Sequence, residues 1–183
     1  MIGIIDYGVG NLFSLRSSFE AIGQEVVISG EAEILAKADK LILPGVGAFG
    51  DAMQKLVDTG LVPLIREEVQ KKPLLGICLG MQLLFDKSYE FGEHKGLGLI
   101  KGEVVPMEGR IPQNLKIPHI GWNAITLKGD CPIFKNNKDG DFVYFVHSFF
   151  ADGCEKSVTA TTEYGIKITA AAANKNVFGC QFH

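Results

Sequence analysis

The sequence has no long apolar run: no stretch approaches the ~20 residues of a membrane-spanning helix, so no membrane anchor is expected. It has no Lys/Arg run, and the formal net charge is −3, which argues against a nucleic-acid footprint. Cysteine is sparse. Cys78, Cys131, Cys154 and Cys180 are widely spaced, with no C-x-x-C pair and no Cys/His cluster. That argues against a structural metal site and a disulfide framework, and no metal or cofactor is expected. The opening Met1-Ile2-Gly3-Ile4-Ile5-Asp6 lacks the basic lead and longer apolar core of a secretory signal. It reads as a first strand, and the chain as cytoplasmic.

What is present is an ordinary globular composition, 46% hydrophobic and 21% charged over 183 residues, enough for one sizeable core. One domain over residues 1–183 is expected. In the first half, short apolar runs at 2–6, 25–29, 40–43 and 73–77 alternate with helical stretches at 11–22, 31–38, 48–58, 61–71 and 79–86. Such alternation builds a parallel sheet with helices on both faces. In the second half, residues 96–105, 122–127, 141–150, 157–163 and 166–182 read as strands and hairpins, with polar turns such as 135–140 between them. The expected fold class is α/β, with a mixed, mostly parallel sheet flanked by helices.

The segment Pro73-Leu74-Leu75-Gly76-Ile77-Cys78-Leu79-Gly80-Met81-Gln82 runs from apolar strand through G-x-C-x-G into apolar helix. This has the form of a nucleophile elbow with Cys in place of Ser. The turn is tight, so the neighbours must be small, and Gly76 and Gly80 are. A helix start favours the thiolate, and the Leu79 N–H can face a developing oxyanion. The structural alternative is a buried Cys beside two helix-packing glycines.

A thiolate nucleophile needs a base that also returns a proton to the leaving group. His94 lies in a polar stretch and reads as exposed. His119, His147 and His183 remain, and spacing does not choose among them. A strand-interior histidine such as His147 is more often structural, and a strand-end histidine is better placed for catalysis.

Gly76-Ile77-Cys78-Leu79-Gly80-Met81-Gln82 resembles the nucleophile motif of the class I (triad) glutamine amidotransferases. Gly179-Cys180-Gln181-Phe182-His183 resembles that family's G-x-Q-F-H, which carries its catalytic histidine. Three further segments resemble one subgroup, the glutaminases that feed a (β/α)8-barrel cyclase in histidine biosynthesis. They are Asp6-Tyr7-Gly8-Val9-Gly10-Asn11-Leu12, Pro44-Gly45-Val46-Gly47-Ala48-Phe49 and Pro118-His119-Ile120-Gly121-Trp122-Asn123. The resemblance runs from Ile2 to the last residue and implies a flavodoxin-like three-layer sandwich.

The resemblance also implies roles. Glutamine is the substrate, Cys78 the nucleophile and His183 the proton carrier. Backbone N–H groups at Leu79 and near Gly47 would hold the oxyanion. Gly45, Gln82, His147 and Ser148 would contact glutamine. Pro118 and Trp122, with Asn11 and Tyr144, would face the cyclase, which takes the ammonia and forms imidazole glycerol phosphate and an aminoimidazole carboxamide ribotide. The family continues H-P-E-K-S, and its Glu orients the histidine. The sequence stops at His183, and no other acid is an obvious substitute, so that Glu is expected on a missing tail. Three other readings stay open: a triad glutaminase serving a different synthase, another Cys hydrolase with an elbow, and a non-catalytic partner-binding module.

Overall fold

The computed structural model describes residues 1–183. The first half follows the expected order: β1 (Ile2–Ile5), α1 (Leu12–Ala21), β2 (Val26–Ser29), α2 (Ala32–Ala36), β3 (Lys40–Leu43), α3 (Phe49–Asp58), α4 (Val62–Glu68), β4 (Leu74–Ile77) and α5 (Leu79–Leu83). The second half adds β5 (Lys87–Ser88), β6 (His94–Lys95), β7 (Glu103–Pro106), β8 (His119–Leu127), β9 (Phe142–His147), β10 (Phe149–Asp152), β11 (Val158–Glu163), β12 (Lys167–Asn174) and β13 (Val177–Cys180).

Nine strands form one sheet in the order β2-β1-β3-β4-β13-β12-β11-β8-β9. It is parallel from β2 to β13 and antiparallel from β13 to β9, a mixed sheet as expected. The short strands β1, β3 and β4 read as unbroken apolar runs because both faces are covered. On one face α1 lies over Ile2, Ile4 and Ile42. On the other, α2 to α5 bury Leu35, Phe49, Leu56, Ile65 and Leu83 in the main core. The two helical layers enclose the sheet as a three-layer sandwich.

Three of the differences from expectation have a non-local reason. The helix at 79–86 ends at Leu83, and the backbone N–H groups of Leu97, Gly98 and Leu99 take the carbonyls of Leu83, Phe85 and Leu84 at 2.8, 3.0 and 2.8 Å. Residues 96–102 therefore cap a helix, and the strand expected from 96 begins only at Glu103. The run 141–150 breaks at Ser148, where the chain leaves the large sheet as β9 and enters a four-stranded sheet (β10-β7-β5-β6) as β10. The run 166–182 is a hairpin turning through Lys175, at φ 53°.

The join between β4 and α5 is the tightest place in the fold. A Cβ on Gly80 would overlap the Leu43 carbonyl, and one on Gly76 would lie 2.6 Å from the Gly80 oxygen. Gly80→Ala therefore forces α5 away from the end of β3. The expected cost is about 3 kcal/mol, at the severe end for overpacking, read as a lowered urea midpoint. A midpoint equal to the wild-type value contradicts this packing.

Candidate active site

Cys78 occupies the turn between β4 and α5 at φ 55°, ψ −116°, outside the regions that L side chains favour. Such a conformation costs on the order of 1–3 kcal/mol and persists only where the surroundings over-determine it. Here they do. Cys78 N–H donates to the Cys180 carbonyl at 2.8 Å, its own carbonyl accepts from Met81 N–H at 3.0 Å, and the flanking glycines admit no side chain. Cys78 is 9% exposed and lines a cavity of about 360 Å³, a volume within the usual range for small-molecule sites.

Burial pushes the Cys78 thiol above its ordinary pKa, and it outweighs the Leu79 N–H and the Gln181 amide, which pull it down. The helix start was expected to favour the thiolate. Desolvation is the larger effect, and the Leu79 N–H at the helix start offsets it only in part. The group rests as a thiol.

Leu79, Gly47, Gln82, His147, Ser148 and His183 all line the cavity with Cys78. Pro118, expected at a partner surface, also reaches it. Gly47 stands at φ 89°, open to space on its Cα side. Gly45 and Asn11 do not line it. They lie on a neighbouring cavity behind the Gly45–Val46 backbone, which shares only Val46 and His183 with the first. A Cβ on Gly45 would lie 2.5 Å from Gly80 N, so this glycine admits the loop against α5. Asn11 caps α1, its Oδ1 accepting from Ser14 N–H at 3.2 Å.

Two polar cavity residues had no role assigned from sequence. Glu90 supplies the only carboxylate in the lining, fixed by accepting from Phe49 N–H at 2.6 Å. It belongs to no motif, and nothing in the sequence distinguishes it from other surface acids. Gln181 lies inside the G-C-Q-F-H segment. Its amide nitrogen faces the Cys78 sulfur at 3.7 Å, and its oxygen accepts from Gln82 Nε2 at 2.8 Å.

The histidines separate by their partners. His147 is buried with both ring nitrogens engaged, Nδ1 to the Phe149 carbonyl at 2.8 Å and Nε2 to His119 Nδ1 at 3.2 Å. His119 is stacked on Phe145 and Tyr164, at centroid distances of 4.8 and 4.0 Å. Neither has a nitrogen to spare for Cys78. His147 lines the cavity wall with both ring nitrogens already engaged. His183 stands at the rim, tied by its backbone N–H to the Tyr144 carbonyl at 2.9 Å. Partial burial lowers its pKa, which favours the neutral ring. It is the histidine of this cavity able to exchange a proton.

Beyond the rim, the edge hairpin β8–β9 presents Ile120, Trp122 and Phe142 at 58%, 69% and 65% exposure. Trp122 meets Tyr144 edge to face at 5.8 Å. An exposed apolar strip of this kind marks a contact surface.

The buried neutral His147 sets a pH dependence. Its folded-state pKa, about 4, lies below the ordinary 6.5. Between those values the unfolded chain binds more protons, so stability is intact above the upper value and falls toward the lower. The expected loss is about 3 kcal/mol across that window, read as a falling urea midpoint. A midpoint that does not move as pH drops from 6.5 to 4 contradicts a neutral buried pair.

Comparison with known proteins agrees with this geometry. The model of the family glutamine amidotransferase class-I matches residues 3–183. The imidazole glycerol phosphate synthase subunit HisH of Caldanaerobacter subterraneus subsp. tengcongensis is 51% identical over 185 residues, spanning 100% of this chain and 89% of that protein. The HisH subunit of Aquifex aeolicus is 51% identical over 183 residues, spanning 98% and 86%. Among solved structures, a glutamine amidotransferase superposes with a TM-score of 0.76 at 17% identity, over 100% of this chain and 89% of that one. PurLQS from Thermotoga maritima superposes with a TM-score of 0.75 at 20% identity, over 100% and 86%. The structural likenesses bear on the fold and the sequence matches on descent, and by the latter the chain belongs to the class-I glutamine amidotransferase family.

Proposed function

We propose that the chain hydrolyses glutamine to glutamate and ammonia through a Cys78 thioester, and delivers the ammonia to a (β/α)8-barrel cyclase subunit in cytoplasmic histidine biosynthesis. The observation that carries this reading is one cavity that holds a strained cysteine, a histidine with free ring nitrogens and a single fixed carboxylate. Two of the family's HisH relatives are named as subunits of imidazole glycerol phosphate synthase, and the exposed strip around Trp122 suits such a partner.

The chemistry follows from the donors. His183 takes the thiol proton as the sulfur attacks the side-chain carboxamide carbon. The carbonyl oxygen gathers negative charge beside the Leu79 N–H. A second donor comes from the backbone at Gly47 once that peptide turns inward, a motion that glycine at positive φ permits. When the C–N bond breaks, His183 returns the proton to the departing nitrogen, and ammonia leaves. Water then attacks the thioester carbon, His183 takes the water proton, and the sulfur departs and takes that proton back as a thiol, releasing glutamate. A thiol that rests protonated is compatible with this sequence, because the proton moves only when His183 and substrate are aligned. Glu90 pairs with the α-ammonium of the bound amino acid, while Gln82 and Ser148 line the wall beside it. The partner docks over Trp122, Tyr144 and Pro118, with Asn11 at its margin.

The test is glutamate release by the full-length protein, with and without the cyclase and its nucleotide ligand. Turnover is expected to depend on the partner and to vanish in Cys78→Ala. Equal turnover without any partner points to a different glutaminase or hydrolase, and complex formation without turnover to a binding module. Glu90→Gln is expected to raise KM by about 10-fold or more, since a hydrogen bond to a charged group carries roughly 1.5–3 kcal/mol, with a smaller effect on kcat. An unchanged KM removes Glu90 from the substrate site.

A further inference from the structure

A row of polar groups ends at the nucleophile. The Phe149 carbonyl can only accept, so His147 Nδ1, 2.8 Å away, carries its ring proton and Nε2 is left as the acceptor. His119 Nδ1, 3.2 Å from that nitrogen, must then donate. His119 Nε2 in turn faces the amide nitrogen of Asn123 at 3.5 Å, and that nitrogen also donates to the Glu163 carbonyl at 2.9 Å. Every donor points inward from β8.

The row continues past the carbonyl. Phe149 O also accepts from Gln82 Nε2 at 3.2 Å, and the second hydrogen of that amide goes to Gln181 Oε1 at 2.8 Å. With its oxygen taken, Gln181 turns its nitrogen to the Cys78 sulfur at 3.7 Å. The polarity matters, because a sulfur gaining negative charge needs a donor and a flipped amide would present an oxygen. The partner of Phe149 across the ladder, Pro106 of β7, has no N–H to offer this carbonyl. β10 is an edge strand, and its contact with β7 at this point is made by the Ser148 carbonyl, which accepts from Met107 N–H at 2.9 Å.

We propose that His119 is a positioning residue for the nucleophile, acting through His147 and the Phe149 carbonyl to keep the N–H side of the Gln181 amide on the Cys78 sulfur. The proposal rests on Cys78 being the nucleophile, and its test reads the sulfur without glutamine. The ionisable groups around that sulfur are Cys180 and the cavity residues Glu90, His147 and His183, and the test variants substitute none of the four.

The experiment measures alkylation of Cys78 by iodoacetamide in the full-length protein, across the pH range that brackets its titration, with the modified peptide quantified by mass spectrometry. His119→Phe keeps a ring between Phe145 and Tyr164 but removes the donor. It is expected to slow alkylation on the rising limb by about fivefold, the change that losing one ordinary hydrogen bond corresponds to, and to move the profile to higher pH. His119→Asn places an amide nitrogen near the former Nδ1 and is expected to restore most of the rate. A His119→Phe profile that superimposes on wild type, or equal losses in both variants, overturns the proposal. Histidine side-chain NMR of the wild-type protein tests it without any variant: His147 is expected as the neutral Nδ1–H tautomer, and the Nε2–H tautomer overturns it. Loss of glutamine turnover with a normal relay would count against the functional reading alone.

Discussion

The close approach of α5 to the end of β3 governs the site. Gly80 lies against the Leu43 carbonyl with no room for a Cβ, and Gly45 lies as tightly against the Gly80 backbone. This contact turns the chain sharply after Ile77 and leaves Cys78 at a positive φ, just past the carboxyl end of the central strand β4. β13, paired parallel to β4, then fixes the rest. Its register sets Cys180 beside Ile77, so Gln181 lies beside the sulfur and His183 reaches the rim. Nucleophile, amide and histidine come from segments about a hundred residues apart in the chain, and one parallel strand pair joins them.

The electrostatics follow from that placement. A buried sulfur is poorly hydrated, so desolvation holds the thiol protonated despite the two N–H groups aimed at it. The same groups become useful when negative charge develops, first on sulfur and then on the carbonyl oxygen beside Leu79. Donors fixed before the reaction need not reorient during it. The buried His119–His147 pair extends this arrangement into the wall. It is neutral and fully bonded, and therefore a fixed part of the scaffold rather than a second acid–base group.

Much of this was legible in the sequence where a local rule coincided with the global one. Strands covered on both faces show as four-residue apolar runs, so β1, β3 and β4 were readable, and so was the elbow between Gly76 and Gly80. The break at Ser148 was not readable, because the chain stays extended and only its partners change sheet. Residues 96–102 look like a strand but serve α5 by capping its carbonyls, a bond between segments that no window contains. The choice among His119, His147 and His183 needed the partner of each ring nitrogen. Glu90 was invisible because its importance comes only from the cavity it faces. The packing of Gly45 against α5 was not readable, since close packing and substrate contact both demand glycine.

The central claim is that Cys78 carries the acyl group. The most direct measurement is rapid acid quench of the full-length protein turning over glutamine labelled at the side-chain carbonyl, followed by peptide mass spectrometry. The account predicts a labelled glutamyl group on the peptide containing Cys78, which base or hydroxylamine removes. Steady glutamate formation with no label on that peptide, or with label on another residue, would contradict it.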